Sequence, residues 1–123
     1  MPKVIIAGGR DFNDYSLLED EVFDFILDLG IPLGRIEFVL GGARGADNLG
    51  LQFAKEYGFN YKMFIPDWKG LGKKKAGIIR NHEMGDYADM LVAFWNGKST
   101  GTKDMIDYAT KKGLVVKVVM YGD

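Results

Sequence analysis

The sequence predicts an α/β fold built on a doubly wound parallel sheet, and two observations predict it. Short apolar segments rich in β-branched residues alternate with segments whose apolar residues recur at helical spacing, in the order β-α-β-α-β-α-β-α-β. The intervening segments are long enough for right-handed crossovers, which join parallel strands and cover both faces of the sheet. The 123 residues suit one domain, so we predict a single Rossmann-like domain over residues 1–123 with a five-stranded parallel sheet.

The strands are predicted from apolar runs that end at glycine or at a polar loop. The first run, Lys3–Ala7, opens directly onto Gly8-Gly9 and suits a strand buried on both faces. The other predicted strands are Arg35–Leu40, Phe59–Ile65, Asp89–Trp95 and Leu114–Met120.

Four helices are predicted between the strands. The first carries apolar residues from Leu18 to Leu29 at helical spacing, with Ser16 placed to cap it and Gly30 to stop it. The others are predicted over 46–57, 76–87 and from Thr102 to a stop at Gly113. The segment 69–75, rich in glycine and lysine, is predicted to be the one long irregular loop.

The composition excludes several classes of protein. A net charge of −1 gives no general attraction to nucleic acid or to an anionic membrane, and no apolar run is long enough to span a bilayer. Cysteine is absent and His82 is the single histidine, so disulfides, a cysteine nucleophile and the usual zinc sites are excluded. No secretory signal is visible. We therefore expect a cytoplasmic protein without a bound metal or cofactor.

Glycine is abundant, at 17 of 123 residues, and much of it falls in three clusters after strands one, two and four: 8–12, 41–47 and 97–102. If the strand order is 3-2-1-4-5, all three clusters line one crevice at the carboxyl ends of neighbouring strands, where ligands bind in such sheets. Glycine lets backbone N–H groups approach phosphate oxygens, and two of the clusters open helices. The ligand expected in such a crevice is an anion, and a nucleotide phosphate fits it best. The predicted ligand-binding residues are Gly8, Gly9, Arg10, Gly41, Gly42, Ala43, Arg44, Gly45, Asp47, Trp68, Arg80, Asn81, Gly97, Ser99, Thr100, Gly101 and Thr102.

Several residues in or near the predicted site leave more than one interpretation open. Trp68 either stacks on a base or anchors a loop, and a tight strand-to-helix turn alone would explain a single glycine pair. The lysines of 69–75 are either a solvated surface or further phosphate contacts. His82 is interpreted as an ordinary helix-surface residue.

Two familiar nucleotide motifs are absent. Gly97-Lys98-Ser99 looks like the end of a P-loop, but Val92 occupies the position of its first required glycine. Gly8-Gly9-Arg10 lacks the spacing of the dinucleotide fingerprint, and strand two ends in glycine rather than in an acid for a ribose. A P-loop NTPase and a simple NAD dehydrogenase are therefore disfavoured.

The motifs, taken together, resemble a known family. In chain order they are Gly8-Gly9-Arg10-Asp11-Phe12, Gly41-Gly42-Ala43-Arg44-Gly45-Ala46-Asp47, Pro66-Asp67-Trp68, Ala76-Gly77 with Arg80-Asn81, Ala88-Asp89, and Ala93-Phe94-Trp95-Asn96-Gly97 with Ser99-Thr100-Gly101-Thr102. This set resembles the branch of the SLOG superfamily related to YspA and YpsA. The superfamily joins the DNA-processing protein DprA to the LOG-type phosphoribohydrolases. The resemblance implies a Rossmann-like domain that binds nucleotides or nucleotide-derived ligands, in bacteria or phages, often in stress, nucleotide signalling or phage–host conflict.

The resemblance also implies a possible activity, because LOG enzymes cleave the N-glycosidic bond of nucleoside 5′-monophosphates. Arg80 is similar to their arginine element, but Met105 occupies the position of their glutamate. Asp104 is the nearest acid, and one helical position of about 100° would turn it elsewhere. Asp11 or Asp47 are the other carboxylates that could stabilise an oxocarbenium-like state.

Three functions follow as hypotheses. The first is a nucleotide-binding protein that senses or sequesters its ligand. The second is a nucleotide N-glycosidase with Arg80 and Asp104 as its catalytic residues. The third, a DprA-like nucleic-acid module, is disfavoured by the net charge and the acidic first helix. We expect a small-molecule partner, no membrane, and a homo-oligomer as a possible assembly.

Overall fold

The computed structural model describes residues 1–122. The strands of this part of the chain are β1 (Lys3–Gly8), β2 (Glu37–Leu40), β3 (Asn60–Met63), β4 (Met90–Trp95) and β5 (Val115–Met120). The helices are α1 (Tyr15–Asp28), α2 (Ala46–Tyr57), α3 (Trp68–Leu71), α4 (Lys73–Tyr87) and α5 (Thr100–Lys111), and a 3₁₀ turn covers Leu33–Arg35.

The five strands form one sheet in the order β3-β2-β1-β4-β5, and every neighbouring pair is parallel. The predicted α/β fold is therefore confirmed, and the strand order is the one that places the three glycine clusters after neighbouring strands. The two central strands, β1 and β4, are almost wholly buried, as parallel strands covered on both faces should be.

Two apolar clusters hold the layers together, one on each face of the sheet. One contains Phe38, Phe53 and Phe94 and packs α1 and α2 against the sheet. The other contains Met84 and Met105 and packs α4 and α5 against the opposite face. Since the chain changes from one face to the other between β1 and β4, their carboxyl ends border an opening between the helix layers.

The start of α1 differs from the prediction, because Asp14 rather than Ser16 caps it. The Asp14 Oδ1 accepts a hydrogen bond from the backbone N–H of Leu17 at 3.1 Å. Asp and Ser are both good capping residues, so their spacing in the sequence does not distinguish them. The backbone at Asp14, with φ −96° and ψ 84°, is the one that lies outside the helix.

The segment 69–75, predicted as an irregular loop, is largely helical, so that prediction is wrong. Asp67 caps the short helix α3 by accepting from the N–H of Gly70 at 3.0 Å. Gly72, with φ +78°, separates α3 from α4, and α4 begins at Lys73, three residues before the predicted start at Ala76. Lysine is a good helix former, and the lysines after Gly72 form the first turn of α4.

The predicted strand bounds differ from the structure by a few residues. Strand β2 begins at Glu37 because the 3₁₀ turn includes Arg35, and β3 is limited to Asn60–Met63. None of the helices within residues 1–122 is long and apolar enough to cross a membrane.

Candidate functional site

A cavity of about 580 Å³ lies at the carboxyl ends of β1 and β4, between the loop after β1, helices α3 and α4, and the start of α5. Its size is within the usual range for small-molecule sites. The residues that line it are Ala7, Gly8, Gly9, Arg10, Asp11, Ala43, Asp47, Trp68, Lys73, Lys74, Gly77, Ile78, Arg80, Asn81, Met84, Asn96, Ser99, Thr100, Gly101, Thr102, Asp104 and Met105.

The start of α5 forms one wall of the cavity. Ser99 caps the helix, with its Oγ 3.4 Å from the N–H of Thr102, and Asn96 Oδ1 holds the preceding turn by accepting from the Ser99 N–H at 2.9 Å. The backbone N–H groups of Thr100 and Gly101 have no acceptor within residues 1–122. A helix N-terminus carries partial positive charge, so these two donors make this wall favourable for an anion.

A buried ion pair supports the floor of the cavity. Asp47 Oδ2 lies 3.7 Å from Arg80 Nη1, and the two side chains are 5% and 11% exposed. The carboxylate also accepts from the N–H of Ala43 at 3.1 Å, and the guanidinium donates to the carbonyl oxygen of Gly41. Burial raises the pKa of Asp47 to about 6, against the opposing effect of Arg80 and the Ala43 N–H. The charge of Arg80 is therefore partly satisfied by the protein itself.

Asn81 joins the walls made by α4 and α5. Its Nδ2 donates to the carbonyl oxygen of Gly101 at 3.1 Å and to Asp104 Oδ2 at 3.2 Å. The other oxygen of Asp104 lies 3.3 Å from Nε2 of His82, whose ring stacks on Tyr108 with centroids 3.9 Å apart. These contacts fix the carboxylate of Asp104 at the edge of the cavity.

Three cations at the mouth of the cavity complete its charge distribution. Arg10, Lys73 and Lys74 line it and are exposed, and none is within 4 Å of an acidic oxygen in the described part of the chain. The acids Asp47 and Asp104 already have partners of their own. Asp11 is a third acid at the cavity and accepts from the Tyr121 hydroxyl, so the mouth carries three cations and one exposed carboxylate.

The sequence model of the YspA, cpYpsA-related SLOG family (YAcAr) matches residues 2–70, which is more than half of the chain. The chain belongs to this SLOG family. The resemblance inferred from the motifs is therefore confirmed. The "Gene 61 protein" of Mycobacterium phage D29 is 36% identical over 129 residues, a match that covers all of this chain and 98% of the phage protein.

A solved structure shares the fold. The X-ray structure of DNA processing protein A (DprA) from Streptococcus pneumoniae matches 99% of this chain with a TM-score of 0.76 and 18% sequence identity. The match covers 51% of the DprA chain, so this SLOG chain spans about half the length of that protein.

Most of the residues predicted to bind ligand border the cavity of this SLOG domain. From the first cluster these are Gly8, Gly9 and Arg10; from the second, Ala43 and Asp47; from the third, Ser99, Thr100, Gly101 and Thr102; and from elsewhere, Trp68, Arg80 and Asn81. Asp104, the carboxylate of the enzyme hypothesis, also lines it. Five predicted residues do not line the cavity: Gly41, Gly42, Arg44, Gly45 and Gly97.

Packing explains two of the glycines outside the cavity. A Cβ at Gly41 would collide with the Arg80 guanidinium, and a Cβ at Gly45, where φ is +76°, would collide with the backbone of Gly9 and Arg10. Arg44 is exposed. The second cluster therefore brings chain segments close to one another, and it contributes only Ala43 and Asp47 to the cavity wall.

Sequence reasoning missed several residues at or near the cavity. Asp104 and Met105 both border the cavity, although they are one helical position apart. His82 was interpreted as a plain surface residue but contacts Asp104. Beside Arg80 and Asn81, helix α4 lines the cavity with Lys73, Lys74, Gly77, Ile78 and Met84. Three of these, Lys73, Gly77 and Met84, fall at helical spacing with Arg80, which is the sequence signal that identifies them.

Proposed function

We propose that this chain binds a nucleotide or nucleotide-derived ligand in the cavity, with a phosphate of the ligand at the start of α5. The observation that carries the proposal is the pair of backbone N–H groups at Thr100 and Gly101, which border the cavity and have no acceptor in the described chain. A phosphate can accept from both, and the hydroxyls of Ser99 and Thr102 lie beside them.

The charges at the mouth support the same ligand. Arg10, Lys73 and Lys74 would contribute cationic donors to an anion in the cavity, because they have no acidic partner in residues 1–122. The buried Arg80 adds positive charge from below while it holds Asp47. A small anion is therefore a better match than duplex nucleic acid, which needs an extended basic surface on the protein.

We propose that the protein senses or sequesters its nucleotide. Position 105 is a methionine that is 1% exposed, so the carboxylate that the LOG enzymes have there is absent. The 36% identical relative is a phage protein, which fits a role in nucleotide signalling or in phage–host conflict.

The substitution Gly101→Asp tests the phosphate site. A Cβ at Gly101 meets no atom within 4 Å, and an acidic residue in the first turn of a helix is favourable, so the variant should fold normally. Its carboxylate would occupy the position of the phosphate and would repel the negative charge of the ligand. We expect calorimetric binding of nucleoside 5′-monophosphates to the wild type and a loss of at least roughly tenfold in the variant, about 1.4 kcal/mol.

Ser16→Asp is the matched control. Ser16 is exposed, takes the same second position in α1 that Gly101 takes in α5, and lies outside the cavity, so the same charge change should leave binding unaltered. Equal binding by wild type and Gly101→Asp would contradict the phosphate site. Tight, salt-sensitive retention of an oligonucleotide, with no nucleotide binding, would instead favour a DprA-like nucleic-acid module.

A nucleotide N-glycosidase is the second candidate function, and the position of Asp104 favours it. Asn81 and His82 hold its carboxylate at the edge of the cavity, 29% exposed, where it could stabilise positive charge on a sugar. Chromatographic detection of free base after incubation with nucleoside monophosphates tests this. Release that disappears in Asp104→Asn but persists in Asp107→Asn, an exposed acid on the same helix, would support the enzyme.

A further inference from the structure

Helix α4 contains two glycines that differ in what surrounds them. A Cβ at Gly85 would lie 2.6 Å from the ring of Tyr108, so the packing of α4 against α5 requires glycine there. A Cβ at Gly77 would meet no atom within 4 Å. Packing therefore explains one glycine and leaves the other unexplained.

Gly77 is destabilising for the helix that contains it. It lies one turn inside α4, where glycine is less favourable than alanine because it loses more backbone entropy on folding. It has no positive φ that would require glycine. Gly77 lines the cavity, so the absent side chain leaves open a surface of bare helix backbone facing a ligand-sized space.

The position of Gly77 along α4 relates it to the start of α5. Gly77 and Asn81 are four residues apart and share one face of the helix. Asn81 touches the carbonyl oxygen of Gly101, which marks the phosphate end of the cavity. Four residues correspond to about 6 Å along a helix axis, a gap comparable to one ribose with its 5′-carbon.

Trp68 supplies an aromatic surface in the same cavity. It begins α3, is 37% exposed and lines the cavity, and the N–H of Gly72 donates to its carbonyl oxygen at 3.1 Å where α3 meets α4. The backbone of Trp68 therefore lies one hydrogen bond from Gly72, the residue that precedes α4. An indole and an open stretch of helix backbone in one cavity suit a planar ligand, since every nucleobase has a face that can stack.

We propose that Gly77 and Trp68 form a subsite for the nucleobase, in which the base lies on the bare backbone of α4 at Gly77 and stacks on the indole of Trp68. This inference rests on the proposed nucleotide binding and adds which end of the cavity takes the base. Nucleoside 5′-monophosphates would bind with the phosphate at Thr100 and Gly101 and the base one helical turn away from Asn81.

Isothermal titration with AMP, GMP, CMP, UMP and ribose 5-phosphate tests the subsite, because ribose 5-phosphate lacks only the base. We expect at least one nucleotide to bind the wild type roughly tenfold tighter than ribose 5-phosphate, the contribution expected of one stacked base. In Gly77→Leu the side chain would fill the subsite, so nucleotide affinity should fall to the level of ribose 5-phosphate while ribose 5-phosphate binding stays unchanged.

Further variants separate loss of the subsite from loss of the fold. Gly77→Ala should raise the melting temperature, because the Cβ has open space around it, and should weaken nucleotide binding at the same time. Trp68→Ala should remove the preference for nucleotides over ribose 5-phosphate and Trp68→Phe should keep most of it. Glu83→Leu, an exposed position of α4 outside the cavity, should change neither affinity.

The outcomes distinguish this subsite from the phosphate site. Equal affinity of the wild type for nucleotides and ribose 5-phosphate would overturn the base subsite and leave the phosphate site standing. Unchanged nucleotide binding in a folded Gly77→Leu variant would also overturn the subsite. If the wild type binds none of the five probes, both proposals are wrong.

Discussion

Asp47 and Arg80 form a nearly buried ion pair, with Oδ2 3.7 Å from Nη1, beneath the cavity of this domain. The pair links the start of α2 to the middle of α4, which belong to helix layers on opposite faces of the sheet. Each charge also has a backbone partner, Ala43 for the carboxylate and Gly41 for the guanidinium. Such pairs contribute little net stability over apolar residues, but breaking them leaves an uncompensated buried charge.

Removal of one partner of this pair should strongly destabilise the protein. Asp47→Ala would leave Arg80 buried without its carboxylate, and we expect a loss of about 3 kcal/mol in the free energy of unfolding by urea. Asp47→Asn keeps the acceptor for the Ala43 N–H and should lose less. The double variant Asp47→Ala/Arg80→Ala should lose less than the sum of the single variants, and strict additivity would show that the pair is not coupled.

The raised pKa of Asp47 predicts a pH dependence of stability. Its folded pKa of about 6 lies above the ordinary value of 3.8, so the folded protein binds a proton at a pH where the unfolded chain does not. Stability contributed by this group therefore rises as the pH falls through 6. The difference in free energy of unfolding between wild type and Asp47→Asn should shift by about 1 kcal/mol in favour of the wild type between pH 7 and pH 5. A constant difference across this range would show that the pKa is not raised.

The N-terminal cap of α1, which the sequence predicts at Ser16 and the structure places at Asp14, can be tested directly. Asp14→Ala removes the acceptor for the Leu17 N–H and should lower the free energy of unfolding by about 1 kcal/mol. Ser16→Ala should change it by less than about 0.5 kcal/mol, because Ser16 lies exposed within the helix. Thermal or urea unfolding of both variants measures the difference, and the reverse ranking would restore Ser16 as the cap.

Asn81 should matter for both the fold and the cavity. Its amide donates to Gly101 and Asp104, and its Oδ1 accepts from the Arg80 Nε at 3.2 Å, so Asn81→Ala removes three hydrogen bonds. We expect a loss of about 2 kcal/mol in the free energy of unfolding. Amide exchange should also accelerate at the start of α5, where the Gly101 carbonyl is released. Glu83→Ala, two residues further along α4 and exposed, is the control that should leave both measurements unchanged.

The sequence by itself determined the architecture of this protein. The alternation of β-branched runs such as Lys3–Ala7 with helical spacing in Leu18–Leu29 specified a parallel sheet, because hydrophobic periodicity records directly which faces are buried. It also indicated the end of the sheet where a ligand would bind, since the glycine clusters follow strands one, two and four, which are neighbours in a sheet of order 3-2-1-4-5. Local signals were weaker where two residues could serve equally, as Asp14 and Ser16 could for the cap of α1.

Only the tertiary structure decided what each glycine and each charge does. Gly41 and Gly45 are required by close approach of Arg80 and of the Gly9 backbone, whereas Gly77 and Gly101 have open space at the cavity. In the same way Arg80 is held by Asp47, while Arg10 and Lys73 have no acidic partner in the described chain. The sequence cannot separate these cases, because the partners are tens of residues apart and meet only when the helices pack on the sheet.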